Sequence, residues 1–337
     1  MIQGHGDDTY IYPGIRSNFS SNIYPHADLT GLKAHLFRRM DLIDHYPEPE
    51  PRSLEMAIAR RYGISVDNVL VTNGATDAIY LIAQTASNNR YTHFDVGPLP
   101  TFSEYEDACR LYGLQQRDGL GETETNGYTV LWLCNPNNPT GNVYSKEELA
   151  FFAEKNHMVV IDQSYEDYTL APMMTHQEAA ASKNIAQLHS LTKTYAIPGL
   201  RIGYIVAPQH IIAMLRNNIR PWAVNALAVE AGKWLLENRA SVVDDLYAYL
   251  AETQRLRMML NQITGITTAE TQTNFILSEI TSKTAANLKD YLAKTHHILI
   301  RDASNFRGLS PRHFRVSTQS PEENNLLVNA IREFMNQ

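Results

Sequence analysis

The sequence predicts an α/β protein, with a large domain built on a mostly parallel sheet between helices and a smaller α+β domain after it. Three observations support this prediction. Short apolar segments alternate with helical segments from residue 69 onward, polar loops follow the apolar segments, and the pattern changes after residue 217. Strands buried on both faces of a parallel sheet have such nearly continuous Val, Ile and Leu runs. We expect residues 28–217 to form the large domain and residues 218–337 the small domain.

The composition is that of a soluble globular enzyme. The chain has 337 residues, of which 44% are hydrophobic and 19% charged, and its net charge is −7. These values are ordinary for globular proteins, and an acidic chain gives no support for a nucleic-acid partner. Two cysteines are too few for a disulfide framework or a cysteine-based metal site, and no apolar run reaches the roughly 18 residues of a membrane span. We expect a cytoplasmic protein with no membrane partner and no metal.

The N-terminal part predicts an arm followed by two helices. Residues 1–27 are rich in Gly, Asp, Tyr, Pro and Asn without periodicity, which indicates an irregular arm. Helical apolar spacing over residues 29–43 predicts the first helix. The proline-broken loop HYPEPEPRS precedes a helix over residues 53–62, which Gly63 ends. Residues 28–50 are expected to contribute to the small domain or to a dimer interface.

From residue 69, strands and helices are predicted to alternate. In chain order they are strand NVLVTN, helix 77–86, strand THFDV, helix 105–112, strand YTVLWLC, helix SKEELAFFAEKN and strand HMVVID. This order is typical of parallel strands with helices on both faces. Ligands of such sheets bind beyond the carboxyl ends of the strands. The loops at those ends are GAT, NPNNPTG, DQSY and SLTK, so we expect the chemistry there.

Beyond residue 217 the pattern predicts a compact α+β unit. Its elements are a helical stretch over residues 224–260, strand NFILSEI, helix 285–294, strands HILIRD and HFRVST, and a C-terminal helix. The last helix is predicted to begin at the capping sequence Ser320-Pro321-Glu322-Glu323.

The segment over residues 187–208 suggests a cofactor. Lys193 follows Ser190 by three residues and precedes Arg201 by eight. A nucleophilic lysine needs a dry pocket, because its ordinary pKa near 10.4 keeps it protonated at neutral pH. Arginine and hydroxyl groups suit a phosphate dianion. The combination points to a Schiff base with pyridoxal phosphate (PLP), although an isolated S-x-x-K sequence is more typical of a surface loop with a solvated lysine.

Polar residues at other strand ends have matching chemistry. Asp162 ends an apolar strand, where a carboxylate can face a protonated ring nitrogen and keep PLP an electron sink; alone, it would be interpreted as a turn residue. Tyr165 and Asn138 can reach the ring oxygen.

The GAT loop and an aromatic residue complete the set. Gly74, Ala75 and Thr76 open a helix after a strand, where backbone amides and the Thr76 hydroxyl can bind phosphate. By itself this sequence is weak evidence. Phe102 also follows a strand and can stack on a flat ring, although an isolated phenylalanine is more often a core residue.

Taken in order, GAT, NPxNPTG, DxxY, SxxK and an arginine eight residues later resemble the motifs of fold type I PLP enzymes of the aspartate aminotransferase superfamily. The resemblance covers roughly residues 1–335. It implies a large domain with a mostly parallel seven-stranded sheet, PLP as the cofactor, and a homodimer. Lys193 would bind the cofactor covalently and move the proton, and Asp162 would pair with the ring nitrogen. The remaining cofactor contacts implied are Gly74, Ala75, Thr76, Ser190 and Arg201 at the phosphate, Asn138 and Tyr165 at the ring oxygen, and Phe102 against the ring.

The resemblance also implies roles for two further residues. Arg315, in HFRVS, matches the arginine that binds the substrate α-carboxylate. Tyr46, in HYPEPE, matches a tyrosine that the neighbouring subunit contributes to the phosphate site.

Two families within the superfamily remain open, the L-threonine-O-3-phosphate decarboxylases of the cobalamin pathway and the histidinol-phosphate aminotransferases. The decarboxylases are favoured by HG at the arm, NFSSNIYP, TKTYAIPGLRIGY, RPWAVNALA and IRDASNFRGLSPRHFRV. This resemblance implies decarboxylation of L-threonine O-3-phosphate to (R)-1-aminopropan-2-yl phosphate and CO2, with His5, Asn22 and Arg301 near the substrate anions. One departure is HGD at residues 5–7, where the family pattern is HGG.

Two alternatives are retained. The first is amino transfer from histidinol phosphate to 2-oxoglutarate. The second, more remote, is a PLP-binding regulator without catalysis, which would normally be attached to a basic helix-turn-helix segment of the kind not found here.

Overall fold

The structure is a computed structural model that describes residues 7–117, 127–238 and 241–337. Its strands are β1 (Ser17–Asn18), β2 (Val69–Thr72), β3 (Tyr91–Val96), β4 (Gln115–Gln116), β5 (Tyr128–Cys134), β6 (Met158–Asp162), β7 (Ile185–His189), β8 (Gly203–Val206), β9 (Ile266–Thr268), β10 (Phe275–Ile280), β11 (Ile298–Leu299), β12 (Arg301–Asp302) and β13 (His313–Ser317).

The α-helices are α1 (Thr30–Arg38), α2 (Arg52–Tyr62), α3 (Gly74–Ser87), α4 (Glu104–Leu111), α5 (Lys146–Lys155), α6 (His176–Ala181), α7 (Leu191–Thr194), α8 (Gln209–Arg216), α9 (Ala226–Asn238), α10 (Leu246–Asn261), α11 (Ala285–Tyr291) and α12 (Pro321–Met335). Short 3-10 helices cover Met40–Asp44, Val66–Asn68, Glu166–Tyr168 and Pro198–Leu200, and a π-helical turn covers Leu292–His296. Among the described helices, none combines the length and the apolar character that crossing a membrane requires.

The large sheet has seven strands in the order β2-β8-β7-β6-β5-β3-β4. Its neighbours pair in parallel except for β8, which is antiparallel to both β2 and β7. The register places Cys134 opposite Asp162, and Asp162 opposite Leu188. The carboxyl ends of β5, β6 and β7 therefore lie side by side. The predicted α/β class with a mostly parallel sheet is confirmed.

Both faces of this sheet are buried, because successive side chains of a strand point to opposite faces. Leu131 and Leu133 of β5 join one hydrophobic cluster with helices α2 and α9. Val130 and Trp132 of the same strand join a second cluster on the other face, with helices α3, α4 and α8. A strand buried on both faces needs apolar residues at every position, which explains the continuous apolar runs.

A smaller sheet, β12-β13-β10-β9, is fully antiparallel and carries its own hydrophobic cluster with α10, α11 and α12. The arm belongs to this unit, because β1 pairs in parallel with β11 and the buried Phe19 joins the cluster. Capping of α12 is as predicted, since Ser320 and Glu323 form a capping box with Pro321 in the first turn.

Three elements differ from prediction. The helical stretch over residues 224–260 is two helices, α9 and α10. The segment HILIRD is two short strands in different sheets, since β11 pairs with the arm and β12 with β13. The helix over residues 29–43 ends at Arg38, and a 3-10 helix continues from Met40.

The packing also bears on the predicted boundary at residue 217. Buried residues of α9, such as Ala228 and Leu235, join the cluster on the large sheet. Those of α10, such as Leu256 and Leu260, join the cluster on the small sheet. This favours a boundary between α9 and α10 rather than before α9.

Candidate active site

Most of the predicted cofactor and substrate residues line one cavity of about 260 Å³. The cavity lies at the carboxyl ends of β5, β6 and β7, where it is lined by Cys134, Asp162 and Ser190. The predicted residues that line it are Ala75, Thr76, Phe102, Asn138, Asp162, Tyr165, Ser190, Lys193, Arg201, Arg301 and Arg315. The rule that such sheets bind ligands beyond their carboxyl ends therefore locates this cavity.

Gly74 and Asn22 lie just outside the lining. Gly74 begins α3 with a φ of +85°, and a Cβ built there would lie 2.7 Å from Nη2 of Arg201. Only glycine therefore lets the start of α3 approach this arginine so closely. Asn22 is fully buried in the arm, next to Ser21, which does line the cavity.

Two further predicted residues lie elsewhere. The Tyr46 side chain is 86% exposed and contacts Trp222, with 5.5 Å between the ring centroids. Within one chain it does not line the cavity. His5 lies outside the described residues.

Lys193 lies in α7, the short helix that follows β7, and its side chain is half-buried. Its Nζ donates a hydrogen bond of 2.9 Å to the carbonyl oxygen of Ser21 in the arm. Burial, together with the neighbouring positive charges of Arg315 and Arg201, lowers the pKa of Lys193 to about 7. An amine with this pKa is substantially unprotonated at neutral pH, so it is available as a nucleophile.

The backbone of Lys193 is held by a buried tyrosine. The Tyr168 hydroxyl donates to the carbonyl oxygen of Lys193 at 2.8 Å and accepts from the amide nitrogen of Tyr24 at 3.0 Å. On the other side of the helix, the Thr194 hydroxyl donates to Asp167. The segment that carries the nucleophile is thereby joined to the arm and to the 3-10 helix Glu166–Tyr168.

Asp162 is a buried carboxylate at the end of β6. One oxygen accepts from the Tyr105 hydroxyl at 2.8 Å, and the other accepts from the backbone nitrogen and hydroxyl of Ser164 at 2.9 and 2.6 Å. Within residues 7–117, 127–238 and 241–337, no cation pairs with it. A buried carboxylate without a cation is well suited to face a protonated ring nitrogen.

Asn138, Tyr165 and Arg315 form a polar group opposite Lys193. One Arg315 nitrogen, Nη1, donates to the Asn138 side-chain oxygen, and Nη2 donates to the Ser20 carbonyl at 2.8 Å. The Arg315 Nε is buried without a hydrogen-bond partner in the described part of the chain. Burial lowers the pKa of Arg315 to about 10 and raises that of Tyr165 to about 12. At neutral pH the first is a cation and the second a hydroxyl donor.

A second buried arginine, Arg301, lies in the same cavity. It is 5% exposed, donates to the Asn305 side-chain oxygen at 2.8 Å, and lies 5.6 Å from the Phe306 ring centroid. Burial lowers its pKa. Since no carboxylate pairs with it among the described residues, its charge is available to an anionic ligand.

The predicted phosphate site brings the start of α3 next to Arg201. Among the described residues, the guanidinium makes long contacts alone, of 3.5 Å to the Thr192 hydroxyl and 3.4 Å to the Pro198 carbonyl. No carboxylate of the described residues pairs with it. An arginine free of carboxylates beside hydroxyls and a helix N-terminus is a suitable site for a phosphate dianion.

Several contributors were not predicted from the sequence. Tyr105 donates to Asp162 and stacks on Trp132 with 5.4 Å between centroids. Tyr105 lies three residues after Phe102, so it could have been found as another aromatic residue of the same loop and helix. The Ser21 contact to Lys193 is made by a backbone carbonyl, for which the sequence gives no signal.

Side chains of β7 and of the 3-10 helix Glu166–Tyr168 form a group that shares protons through hydrogen bonds. Gln187 donates to the Met174 carbonyl at 2.8 Å, so its side-chain oxygen accepts from Nε2 of His189 at 2.9 Å. The other ring nitrogen of His189 must then accept from Glu166, 2.6 Å away. Burial raises the pKa of Glu166 to about 7 and lowers that of His189 to about 3. These shifts agree with the hydrogen bonds, since they favour a protonated Glu166 and a neutral His189.

Glu166, His176 and His189 are also close enough to share a metal ion. The two imidazoles stack at 4.2 Å with an angle of 14° between their planes. Nitrogen lone pairs lie in the ring planes, so stacked rings do not converge on one ion. This arrangement fits a hydrogen-bonded group better than a metal site.

The comparisons with known proteins identify the family. The model of the aminotransferase class I and II family matches residues 16–331. The chain is 31% identical over 345 residues to the threonine-phosphate decarboxylase of Salmonella typhimurium, covering 96% of this chain and 93% of that protein. It is 29% identical to the histidinol-phosphate aminotransferase of Thermoanaerobacter pseudethanolicus, over 87% of this chain and 85% of that protein.

The structural comparison agrees. The crystal structure of L-threonine-O-3-phosphate decarboxylase from Porphyromonas gingivalis superimposes with a TM-score of 0.89 and 35% identity, covering 96% of this chain and 100% of that chain. The nucleophilic lysine, the buried carboxylate and Arg201, which pairs with no carboxylate in the part of the chain that the structure describes, fit PLP. The chain belongs to the aminotransferase class I and II family and is a PLP-dependent enzyme.

Proposed function

We propose that this protein decarboxylates L-threonine O-3-phosphate to (R)-1-aminopropan-2-yl phosphate and CO2 with PLP. The observation that carries the proposal is that two buried arginines, Arg301 and Arg315, line the cavity of Lys193 and that no carboxylate of the described residues pairs with either of them. A substrate with both a carboxylate and a phosphate provides one anion for each. The similarity to proteins named threonine-phosphate decarboxylases supports the same substrate.

The cofactor would be held by side chains that already line the cavity. Arg201, Ser190, Thr76 and the amides at the start of α3 would bind its phosphate, and Asp162 would face the ring nitrogen. The implied contacts to its ring oxygen are Asn138 and Tyr165, with Phe102 against the ring. PLP supplies an electron sink for the electron pair left by a broken bond at the substrate α-carbon.

The chain's own residues would orient the substrate and move the proton. Arg315 would bind the α-carboxylate, and Arg301 the phosphate, with Asn22 expected nearby. Lys193, whose pKa is about 7, can hold a proton on Nζ and deliver it to the α-carbon after CO2 leaves. Ser20 and Ser21 of the arm line the same cavity and would contact the substrate.

Histidinol-phosphate aminotransfer is the second candidate, favoured by the 29% identity to such an enzyme. The two reactions differ in which bond at the α-carbon stands perpendicular to the cofactor ring. That choice depends on substrate contacts with a tolerance of about an ångström.

The PLP-loaded protein should release CO2 from L-threonine O-3-phosphate without any keto-acid acceptor, and aminopropanol phosphate should accumulate. Absence of CO2 together with amino transfer from histidinol phosphate to 2-oxoglutarate would establish the aminotransferase instead. Both assays use the same preparation, so a misfolded sample fails in both.

We also propose that the protein is a homodimer in which Tyr46 reaches the neighbouring cavity. A group of exposed apolar side chains around Tyr46 supports the proposed dimer. The patch consists of Phe37, Met40, Ile43, Tyr46 and Trp222, which are 80%, 42%, 61%, 86% and 50% exposed. Apolar clusters of this kind mark interfaces more often than free surface.

A further inference from the structure

A carboxylate lines the part of the cavity that the proposed function fills with anions. Asp7 lines the cavity together with Ser20, Arg301 and Arg315. Its amide nitrogen donates to the Ser20 hydroxyl at 3.1 Å, and the Ser20 carbonyl accepts from Arg315 at 2.8 Å. Asp7 is thus connected through one residue to the arginine assigned to the substrate carboxylate.

The backbone at Asp7 favours glycine. Its φ is +66°, in the left-handed region that glycine adopts freely and that costs other residues roughly 1–2 kcal/mol. Its Oδ1 accepts from Nδ2 of Asn18 at 2.6 Å, which holds the side chain at the cavity.

Within the described residues, no lysine or arginine nitrogen lies within 4.0 Å of the Asp7 carboxylate, so no side chain of that part of the chain neutralises its charge by direct pairing. The Asp7 charge nevertheless acts on Lys193. It raises the pKa of Lys193, although burial and the charges of Arg315 and Arg201 lower that pKa by more. A ligand that enters this end of the cavity therefore meets Arg301, Arg315 and one negative charge.

We infer that Asp7 is a specificity-determining residue that lowers the preference of the substrate end of the cavity for a doubly charged oxyanion over a singly charged one. The inference rests on the function proposed above and specifies the anion that it accepts. A phosphate ester carries about −1.5 to −2 charges at pH 7, whereas a sulfate ester carries one. The extra charge is repelled by the carboxylate, while the arginines attract both esters.

The test compares L-threonine O-3-phosphate with L-threonine O-sulfate at pH 8, where the phosphate is doubly charged. Each is mixed rapidly with the PLP-loaded protein, and binding is read from the cofactor absorbance before turnover. Asp7→Asn removes the charge, and its side-chain oxygen can still accept from Asn18. We expect the preference for phosphate over sulfate to rise at least about fivefold in this variant, the ratio that corresponds to about 1 kcal/mol.

Asp7→Gly, which removes the charge and suits the positive φ, should give the same change. Asp290→Asn is the matched control, because Asp290 contacts Tyr12 of the arm but does not line the cavity. A ratio that stays within twofold of wild type in both Asp7 variants overturns the inference and leaves the proposed function standing. If neither ester changes the absorbance of wild-type protein, the proposed function fails as well.

Discussion

At the scale of single residues, the site depends on side chains whose pKa values are displaced by burial. Lys193 is the clearest case, with a pKa of about 7 instead of 10.5. Glu166 and His189 are displaced in opposite directions, so that a proton is held on the acid rather than on the imidazole. Both effects come from removing charged forms from water.

Lys193→Ala should abolish turnover and leave the fold intact. The variant loses the nucleophile and the proton donor, and general acid–base catalysis alone contributes about 10²–10⁴-fold. The visible absorbance of lysine-bound PLP should also disappear. CO2 release, the absorption spectrum and thermal unfolding measure the three effects. Lys183→Ala, at an exposed lysine, is the control. A Lys193→Ala protein that keeps both turnover and absorbance would remove Lys193 from the mechanism.

Glu166→Gln should become more stable relative to wild type as pH rises. The folded-state pKa of Glu166, about 7, lies above the ordinary 4.5, so its protonation stabilises the fold below pH 4.5, and this contribution is lost as pH rises through 7. Glutamine mimics the protonated acid at every pH, since its amide can donate to His189.

Urea unfolding at pH 5 and pH 8 measures this effect. We expect the free energy of unfolding of Glu166→Gln, relative to wild type, to be higher at pH 8 than at pH 5 by about 1–3 kcal/mol. Glu154→Gln, on the exposed part of α5, is the control. Equal differences at both pH values would mean that Glu166 is ionised in the folded protein.

Sequence reasoning at this scale worked for residues whose type and position are both informative. Asp162 ends an apolar strand and Lys193 follows one, so parallel pairing placed both at one edge. It could not find the Ser21 carbonyl, because any residue supplies a backbone oxygen. It also did not identify Asp7, which lines the cavity only because the arm lies against the strand ends there.

At the scale of elements, the arm and the lysine helix behave as one unit. Ser21 accepts from the Lys193 side chain, and Tyr168 joins the Lys193 backbone to Tyr24. The arm therefore connects the segment around Lys193 to the small-sheet unit, because β1 of the arm pairs with β11.

Tyr168→Phe should reduce turnover through the position of Lys193. Removing the hydroxyl leaves the Lys193 carbonyl and the Tyr24 amide without a partner, which costs about 1–3 kcal/mol of stability. Tyr249→Phe is a matched control, since this buried hydroxyl donates to the Thr318 carbonyl and not to the Lys193 carbonyl. Both variants should unfold more easily.

Only Tyr168→Phe should shift the pH profile of turnover, because only it changes the surroundings of Lys193. Identical pH profiles of the two variants would show that Tyr168 has a structural role alone. The measurements are urea unfolding and kcat between pH 6 and 9.

Element prediction succeeded where strands and helices had clear ends and failed where one apolar pattern covered two elements. The large sheet was predicted because each strand is followed by a polar loop. The break before α10 had a signal, since Asp245 caps that helix by accepting from the amide of Ala248. The division of HILIRD between two sheets had none, because the arm that pairs with β11 is about 280 residues away in sequence.

At the scale of the whole molecule, the apolar patch around Tyr46 predicts a dimer in which each subunit contributes Tyr46 to the cavity of its partner. Tyr46→Ala should weaken PLP retention, and mixing it with Lys193→Ala should restore activity through mixed dimers. In a mixed dimer one cavity has both residues intact, so random exchange restores about a quarter of wild-type activity.

Subunit exchange followed by the CO2 assay measures this restoration, and size-exclusion chromatography should give about twice 38.1 kDa. Lys183→Ala replaces Lys193→Ala in the control mixture. A dimer that shows no restoration would place Tyr46 outside the neighbouring site.

The bond between Arg315 and Ser20 joins residues 295 positions apart, which sets an order of events during synthesis. The arm leaves the ribosome first, but its partners in the small sheet are translated last. At about 5–20 residues per second, the arm waits on the order of 15–60 s. Lys193 is translated before residues 298–317, so the nascent chain contains the nucleophile before the small sheet that positions the arm is complete. A ribosome-bound intermediate that lacks residues 298–317 has no complete substrate site.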